Sequence, residues 1–208
     1  MSINRLSGQV YLRAEVAQID AWEKLGNTGW NWESLLPYYK KSEGLQIPTA
    51  AQVEAGADYN PSYHGLDGPL PVGWLTASQT GDVVADVNST YQSLGLPWNA
   101  DPNTGAMRGF SVYPKTIDRA LNVRADAARA YYYPIANRTN LHVYLNSTVQ
   151  RLVWDESSKS AKPVASGVEY ITASGEKATI KANKEVILSA GSLRSPLLLE
   201  LSGVGNPE

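Results

Sequence analysis

The 208-residue chain carries no cysteine and two histidines, His64 and His142. Without thiols there is no thiol nucleophile, no disulfide and no thiolate metal site. The two histidines are far apart and lack the i, i+4 spacing that sets two imidazoles on one helix face around zinc. His64 precedes Gly65 in a loop rich in glycine and proline, and is expected to be a hydrogen-bonded loop residue rather than a general base. His142 alternates with Leu141 and Val143, which on a strand would place it on the solvated face. The aromatic set is 12 Tyr and 6 Trp against 1 Phe, the types that join an apolar face to a polar handle. Tyr131-Tyr132-Tyr133 and the pair Trp30 and Trp32 offer faces for sugar stacking, but at helical spacing they are expected to be half-buried packing. Asp126 and Arg129 read as a solvated ion pair on a helix face.

The remaining candidate chemistry is made by backbone. Val186-Ile187-Leu188 is continuously apolar, as in a strand buried on both faces, and runs into Ser189-Ala190-Gly191-Ser192 before a helix announced by Ser195 and Pro196. Strand, small-residue turn and helix is how an α/β sheet brings backbone amides to a phosphate or cofactor. The same small residues also let a helix pack closely on a sheet, and the turn alone leaves both readings open.

The elements that must position these residues read as mixed α and β. Val16, Ile19, Trp22 and Leu25 recur with helical spacing over Glu15 to Leu25, and Gly26-Asn27 ends that helix. Asn31 is a candidate N-cap for a second helix towards Ser42. Residues 47–74 are irregular and punctuated by glycine and proline, which suits a binding surface. A third helix fits Asp82 to Leu94, and an Ala-rich fourth fits Val123 to Tyr133, with Asn122 as cap and Pro134 as terminator. Period-two patterns then predict strands at Leu141–Leu145, Thr148–Trp154, Val164–Ile171, Ala178–Lys181 and Glu185–Ser189.

Composition narrows the function classes. A 43% hydrophobic fraction beside 18% charged residues argues against disorder. The net charge of −2 and pI near 5.7 leave no electrostatic footprint for a nucleic-acid partner. The longest apolar run, Leu197-Leu198-Leu199, is far short of a membrane span, and the first residues show neither the charged start nor the apolar core of a secretory signal. Asn88-Ser89-Thr90, Asn137-Arg138-Thr139 and Asn146-Ser147-Thr148 are glycosylation sequons, which would suit a secreted eukaryotic glycoprotein.

The run Gly191-Ser192-Leu193-Arg194-Ser195-Pro196-Leu197-Leu198-Leu199-Glu200-Leu201-Ser202-Gly203-Val204-Gly205 resembles the second signature of the glucose–methanol–choline (GMC) oxidoreductase family of flavoenzymes. Tyr11-Leu12-Arg13, Asp20-Ala21-Trp22, the segments 26–32 and 36–43, His64-Gly65 with Gly68-Pro69-Leu70, Arg124 with Asp126-Ala127-Ala128, and Asn140-Leu141-His142-Val143 continue it in order. The resemblance therefore covers essentially the whole chain. The family's FAD-pyrophosphate fingerprint, Gly-x-Gly-x-x-Gly, does not occur here.

The resemblance implies an α/β fold: part of a Rossmann-like FAD-binding domain with an antiparallel β meander, and part of an α+β substrate-binding domain. Residues 1–58 would form an FAD-contacting segment with helices, 59–124 a partial substrate-binding region and 125–208 a partial FAD-binding domain. It implies FAD as cofactor and a small-molecule alcohol or sugar as substrate, oxidised as a histidine takes the hydroxyl proton and hydride passes to the flavin. Ser7, Gly8 and Val10 fall where the family brings chain to the flavin, Val149 where a valine backbone meets the adenine, and Ala190 and Gly191 near the phosphates. Ser7 stands where the family has asparagine, and lacks the amide's paired donor and acceptor. No residue is assigned a catalytic role, and the chain is expected to be an incomplete enzyme, inactive alone. Two alternatives accompany this reading: a non-catalytic binding module with an aromatic loop surface, and a hydroxynitrile lyase of the same family.

Overall fold

The computed structural model describes residues 8–75, 82–157 and 162–206. It is a mixed α/β protein whose chain divides into two compact units between Arg138 and Thr139.

In the first unit, helix α1 spans Val16–Lys24 and α2 spans Trp32–Ser42. Asn31 caps α2 as its sequence position requires, its side chain accepting the Ser34 N–H at 2.9 Å. Strand β1 (Glu43–Leu45) follows directly and pairs in parallel with β2 (Leu70–Val72). Two glycines make that approach possible. A Cβ on Gly65 would lie 1.8 Å from the Lys40 carbonyl oxygen, and one on Gly68 would lie 2.4 Å from the Glu43 backbone. Between the two strands, α3 (Ala50–Glu54) is closed by a capping box of Thr49 and Gln52. Helix α4 covers Asp82–Ser93, within a residue of the expected span. The apolar core here is small: Leu45, Ala57, Val72 and Trp74, flanked by Tyr11, Tyr59, Leu70 and Val112.

The expected helix from Val123 to Tyr133 does not form. Val123 and Arg124 are β4, the return arm of a short antiparallel hairpin with β3 (Ile117–Asp118). Asn122 is not an N-cap but the turn residue, at φ +51°, a conformation asparagine tolerates well. Helical backbone begins only at Ala127, opens into one wide π turn over Ala128–Tyr132 and tightens into a 3₁₀ turn over Tyr133–Ile135 around Pro134. Asp126 is buried and accepts the Arg129 backbone N–H at 2.9 Å, so it caps this turn from inside rather than standing on a solvated face. Tyr131, Tyr132 and Tyr133 are exposed rather than half-buried, as is Trp30; Trp32 packs against the rings of Tyr39 and Tyr63.

The second unit is a three-stranded antiparallel meander of β5 (Thr148–Trp154), β6 (Ala165–Ile171) and β7 (Lys177–Lys181). Helix α5 (Arg194–Leu201) packs on β5. The three meander strands match their expected positions. The flanking segments Leu141–Leu145 and Glu185–Ser189, also expected as strands, are irregular. A strand exists only through a neighbouring ladder, and among the described residues nothing bonds to either segment in that way. His142 is accordingly exposed in an irregular segment rather than on a strand. Among the described residues no helix is long and apolar enough to cross a membrane.

Candidate functional site

Two places concentrate functional chemistry, one in each unit. In the first unit, Arg13 leaves an extended segment, Glu43 starts β1, His64 follows a 3₁₀ turn begun by Pro61, and Asp101 caps another begun by Pro102. All four side chains are buried. An Arg13 guanidinium nitrogen donates to Glu43 Oε2 at 2.8 Å, and the other donates to the carbonyls of Tyr63 at 2.6 Å and Asn103 at 3.2 Å. The His64 ring lies between two carboxylates, with Nδ1 2.7 Å from Glu43 Oε1 and Nε2 3.0 Å from Asp101 Oδ2.

The backbone closes around these charges. Gly65 N–H donates to Glu43 at 3.1 Å, and Asn60 and Asn103 N–H groups each donate to Asp101 at 2.9 Å. Asn103 accepts the Arg13 N–H at 2.9 Å, acting as a strand substitute for that segment. Burial disfavours the charged imidazole, but the hydrogen bonds and charges of Asp101 and Glu43 outweigh it and hold His64 above its ordinary 6.5. Burial likewise raises the Asp101 carboxyl, yet His64 and the two backbone donors bring it below its usual value. His64 is thus the hydrogen-bonded loop residue expected of it. Arg13, Glu43 and Asp101 had no such reading, because their partnership spans up to 90 residues of sequence.

Among the residues assigned to the cofactor, Ser7 lies outside the described residues. Gly8 is exposed with open space around it, and Val10 is exposed and bridges Lys115. Between them Gln9 is buried at φ +63°, strained for a non-glycine. Thr116 holds it there, its N–H donating to the Gln9 carbonyl at 2.8 Å and its hydroxyl to Gln9 Oε1 at 2.7 Å.

In the second unit, Val149 and Ala190 line one groove of about 890 Å³, with Val168 and Ile180 on the sheet and Leu197 and Leu201 on α5. Val149 belongs to β5, an edge strand, beside a register shift that opens the ladder between Val149 and Arg151. Gly191 turns the chain at φ +94° before α5, where a side chain would be strained. The Ala190 N–H is already engaged by Ser195 Oγ at 2.9 Å, and the Ser195 N–H returns to the Gly191 carbonyl at 3.0 Å. The strand–turn–helix amide at Ala190 is therefore used to close its own turn. Among the described residues no cluster of three or more His, Cys, Asp or Glu could hold a metal.

Comparison with known proteins places this architecture. The family model described as GMC oxidoreductase matches residues 3–208. A glucose oxidase-like protein, fsoC, of Humicola fuscoatra is 49% identical over 191 residues, covering 91% of this chain and 32% of that protein. Glucose oxidase of Penicillium chrysogenum is 35% identical over 202 residues, covering 96% of this chain and 33% of the enzyme. An FAD-dependent oxidoreductase from Chaetomium thermophilum superposes with a TM-score of 0.86 at 31% identity, over 97% of this chain and 34% of that one. The chain thus spans about a third of the length of these relatives. With the family's signatures, its fold and its match along nearly every residue in agreement, the chain belongs to the GMC oxidoreductase family.

Proposed function

We propose that this chain forms part of an FAD-dependent oxidoreductase acting on the CH–OH group of an alcohol or sugar. Its residues serve cofactor binding rather than proton transfer. The observation that carries this reading is the unbroken family match over residues 3–208.

The residues fit one end of the cofactor and not the whole of it. The groove holding Val149 and Ala190 is largely apolar and bordered by the edge strand β5, which suits the adenine end, with main-chain contact at Val149. Gly8 and Val10 supply exposed backbone for the flavin end, on a segment that Gln9 and Thr116 hold in a strained conformation. The pyrophosphate is poorly provided for, because no Gly-x-Gly-x-x-Gly loop occurs in these residues and the Ala190 amide is engaged. When bound, FAD supplies the hydride acceptor. His64 is not the proton acceptor of the reaction in this reading, since both ring nitrogens are committed to buried carboxylates.

The test is an exchange. The matching third of Penicillium chrysogenum glucose oxidase is replaced by this chain, and the product is expected to fold, retain a yellow flavin and be bleached anaerobically by an alcohol. A folded, colourless exchange protein would overturn the reading. The 208-residue chain by itself is expected to bind FAD weakly and to show no turnover on aryl, sugar or choline alcohols with added FAD. A sub-micromolar dissociation constant by calorimetry would show that the phosphates are held here after all.

A further inference from the structure

The buried charge cluster of the first unit has an internal requirement that the family assignment does not address. A neutral imidazole has one N–H and one lone pair, so it can donate to a single acceptor. His64 meets carboxylate oxygens with both nitrogens, at 2.7 and 3.0 Å. Neither carboxylate can donate back while ionised, and the Arg13 guanidinium faces Glu43 at 2.8 Å. With the imidazolium present, two cations face two anions. With a neutral ring, one lone pair faces an oxygen anion at hydrogen-bond distance and the buried cluster carries an uncompensated negative charge.

We propose that Glu43, His64 and Asp101, closed by Arg13, form a proton-operated clasp: the imidazolium holds the Tyr11–Arg13 segment and the Asp101–Asn103 turn together, and loss of its proton releases both. The mechanical link is on the two sides of Asp101 and Asn103. Asp101 receives the Asn60 and Asn103 N–H groups, and Asn103 in turn accepts the Arg13 N–H and donates to the Tyr11 carbonyl at 3.3 Å. The other groups facing the cluster do not replace the lost proton. Tyr59 presents its ring edge to the imidazole, with centroids 5.8 Å apart. Tyr11 and Tyr39 offer ring faces to Arg13, and the Lys40 amine is exposed and bonded to the Ser62 carbonyl.

The sign of the effect follows from linkage. A folded-state pKa raised above 6.5 means that the clasp contributes fully below 6.5 and is lost as pH rises through the raised value. Opening is favoured about tenfold for each unit by which the ring's pKa exceeds 6.5.

With two histidines in the chain, ring-labelled histidine gives two imidazole signals, assigned by His142→Ala. The titration is run on the whole chain beside amide hydrogen exchange corrected for the intrinsic base-catalysed rate. His64 is expected to keep both ring protons at pH 6.5. When one leaves, protection of the Arg13, Asn60, Gly65 and Asn103 amides is expected to fall together, about tenfold or more, while the Val168 and Ile180 amides of the second unit keep theirs. A ring that is neutral at pH 6.5, that loses its proton without loss of protection, or that keeps both protons to pH 10 would overturn the clasp. His64→Gln, whose two N–H donors share one nitrogen and so do not span carboxylates that face opposite ring nitrogens, is expected to show the low protection at every pH; a folded variant with the parent's pH profile also overturns it. Should that variant fail to fold, the titration of the parent chain decides alone.

Discussion

The two units are held together by different physics. Up to Arg138 the chain has short elements and a small apolar core, and its most buried side chains include Arg13, Glu43, His64, Asp101, Asn103 and Asp126. From Thr139 the order is reversed: a regular meander supplies the hydrogen bonds, while Leu152 and Tyr170 are its buried apolar residues among those described. Large apolar side chains stand in the open in both units, Leu25 at 80% in the first and Leu193 at 85% and Ile187 at 75% in the second. The first unit spends its interior on directional contacts among distant segments, which fix a unique arrangement of irregular loops. The second has a ladder that fixes its own register and leaves its apolar groove unfilled.

If buried charge organises the first unit, removing one charge should be the most damaging change in the molecule. Glu43→Ala leaves Arg13 and His64 buried without their shared acceptor, and is expected to cost about 3–5 kcal/mol in urea unfolding. A loss below about 1 kcal/mol would mean that the apolar core holds this unit. Acid should act on the same cluster more gently, since a protonated carboxyl still hydrogen-bonds. The depressed Asp101 pKa means that its contribution is complete above the ordinary 3.8 and disappears as pH falls through the lower folded-state value. Asp101→Asn is expected to flatten that acid limb, read as the urea midpoint between pH 5 and 2; an unchanged limb would assign it to other carboxylates.

This division also decides what could be read in the sequence. The meander strands, α1, α2 and α4 were legible because period-two and helical patterns are local, and Asn31 was legible as a cap because a cap acts over three residues. Helix α3 could have been found from Thr49-Ala50-Ala51-Gln52, which has the capping-box spacing. The helix expected from Val123 failed where tertiary pairing overrode alanine's propensity: Val123 and Arg124 gain a hairpin, and the Ala125 N–H donates to the Thr116 carbonyl. Val149 was reached through the family resemblance and Ala190 through the strand–turn–helix pattern, both as proposed cofactor contacts, and the structure sets the two on one groove. The charge cluster was not legible at all, since nothing local in Arg13, Glu43 or Asp101 announces a partner 30 to 90 residues away.

In the second unit the comparable tie is a single hydroxyl. Ser202 Oγ accepts the Leu152 N–H at 2.8 Å and donates to the Leu198 carbonyl, and the Ser202 carbonyl accepts the Trp154 indole N–H at 2.7 Å. It is what fastens α5 to β5. Ser202→Ala strands a buried N–H and should cost about 1–2 kcal/mol, less than Glu43→Ala because no charge is left behind. Loss of protection at Leu152 in hydrogen exchange, with the β6–β7 amides unaffected, would locate the damage. Equal loss across the whole meander would instead show that α5 is part of its cooperative core.

The smallest expected effect is at the most exposed part of the groove. Ile187 lies in the unpaired segment after β7 and is 75% exposed, so its side chain has little burial to lose. Ile187→Asp is therefore expected to change stability by no more than about 0.5 kcal/mol, the range of ordinary surface substitutions. It should lower self-association at the same time, because a charge interrupts the apolar face formed with Val149, Leu197 and Leu201. Urea unfolding measures the first quantity and sedimentation velocity the second. A loss of about 2 kcal/mol or more, the size expected for a buried side chain, would mean that Ile187 is covered in solution. The contrast between a first unit organised by buried charge and a second with an open apolar groove would then no longer hold.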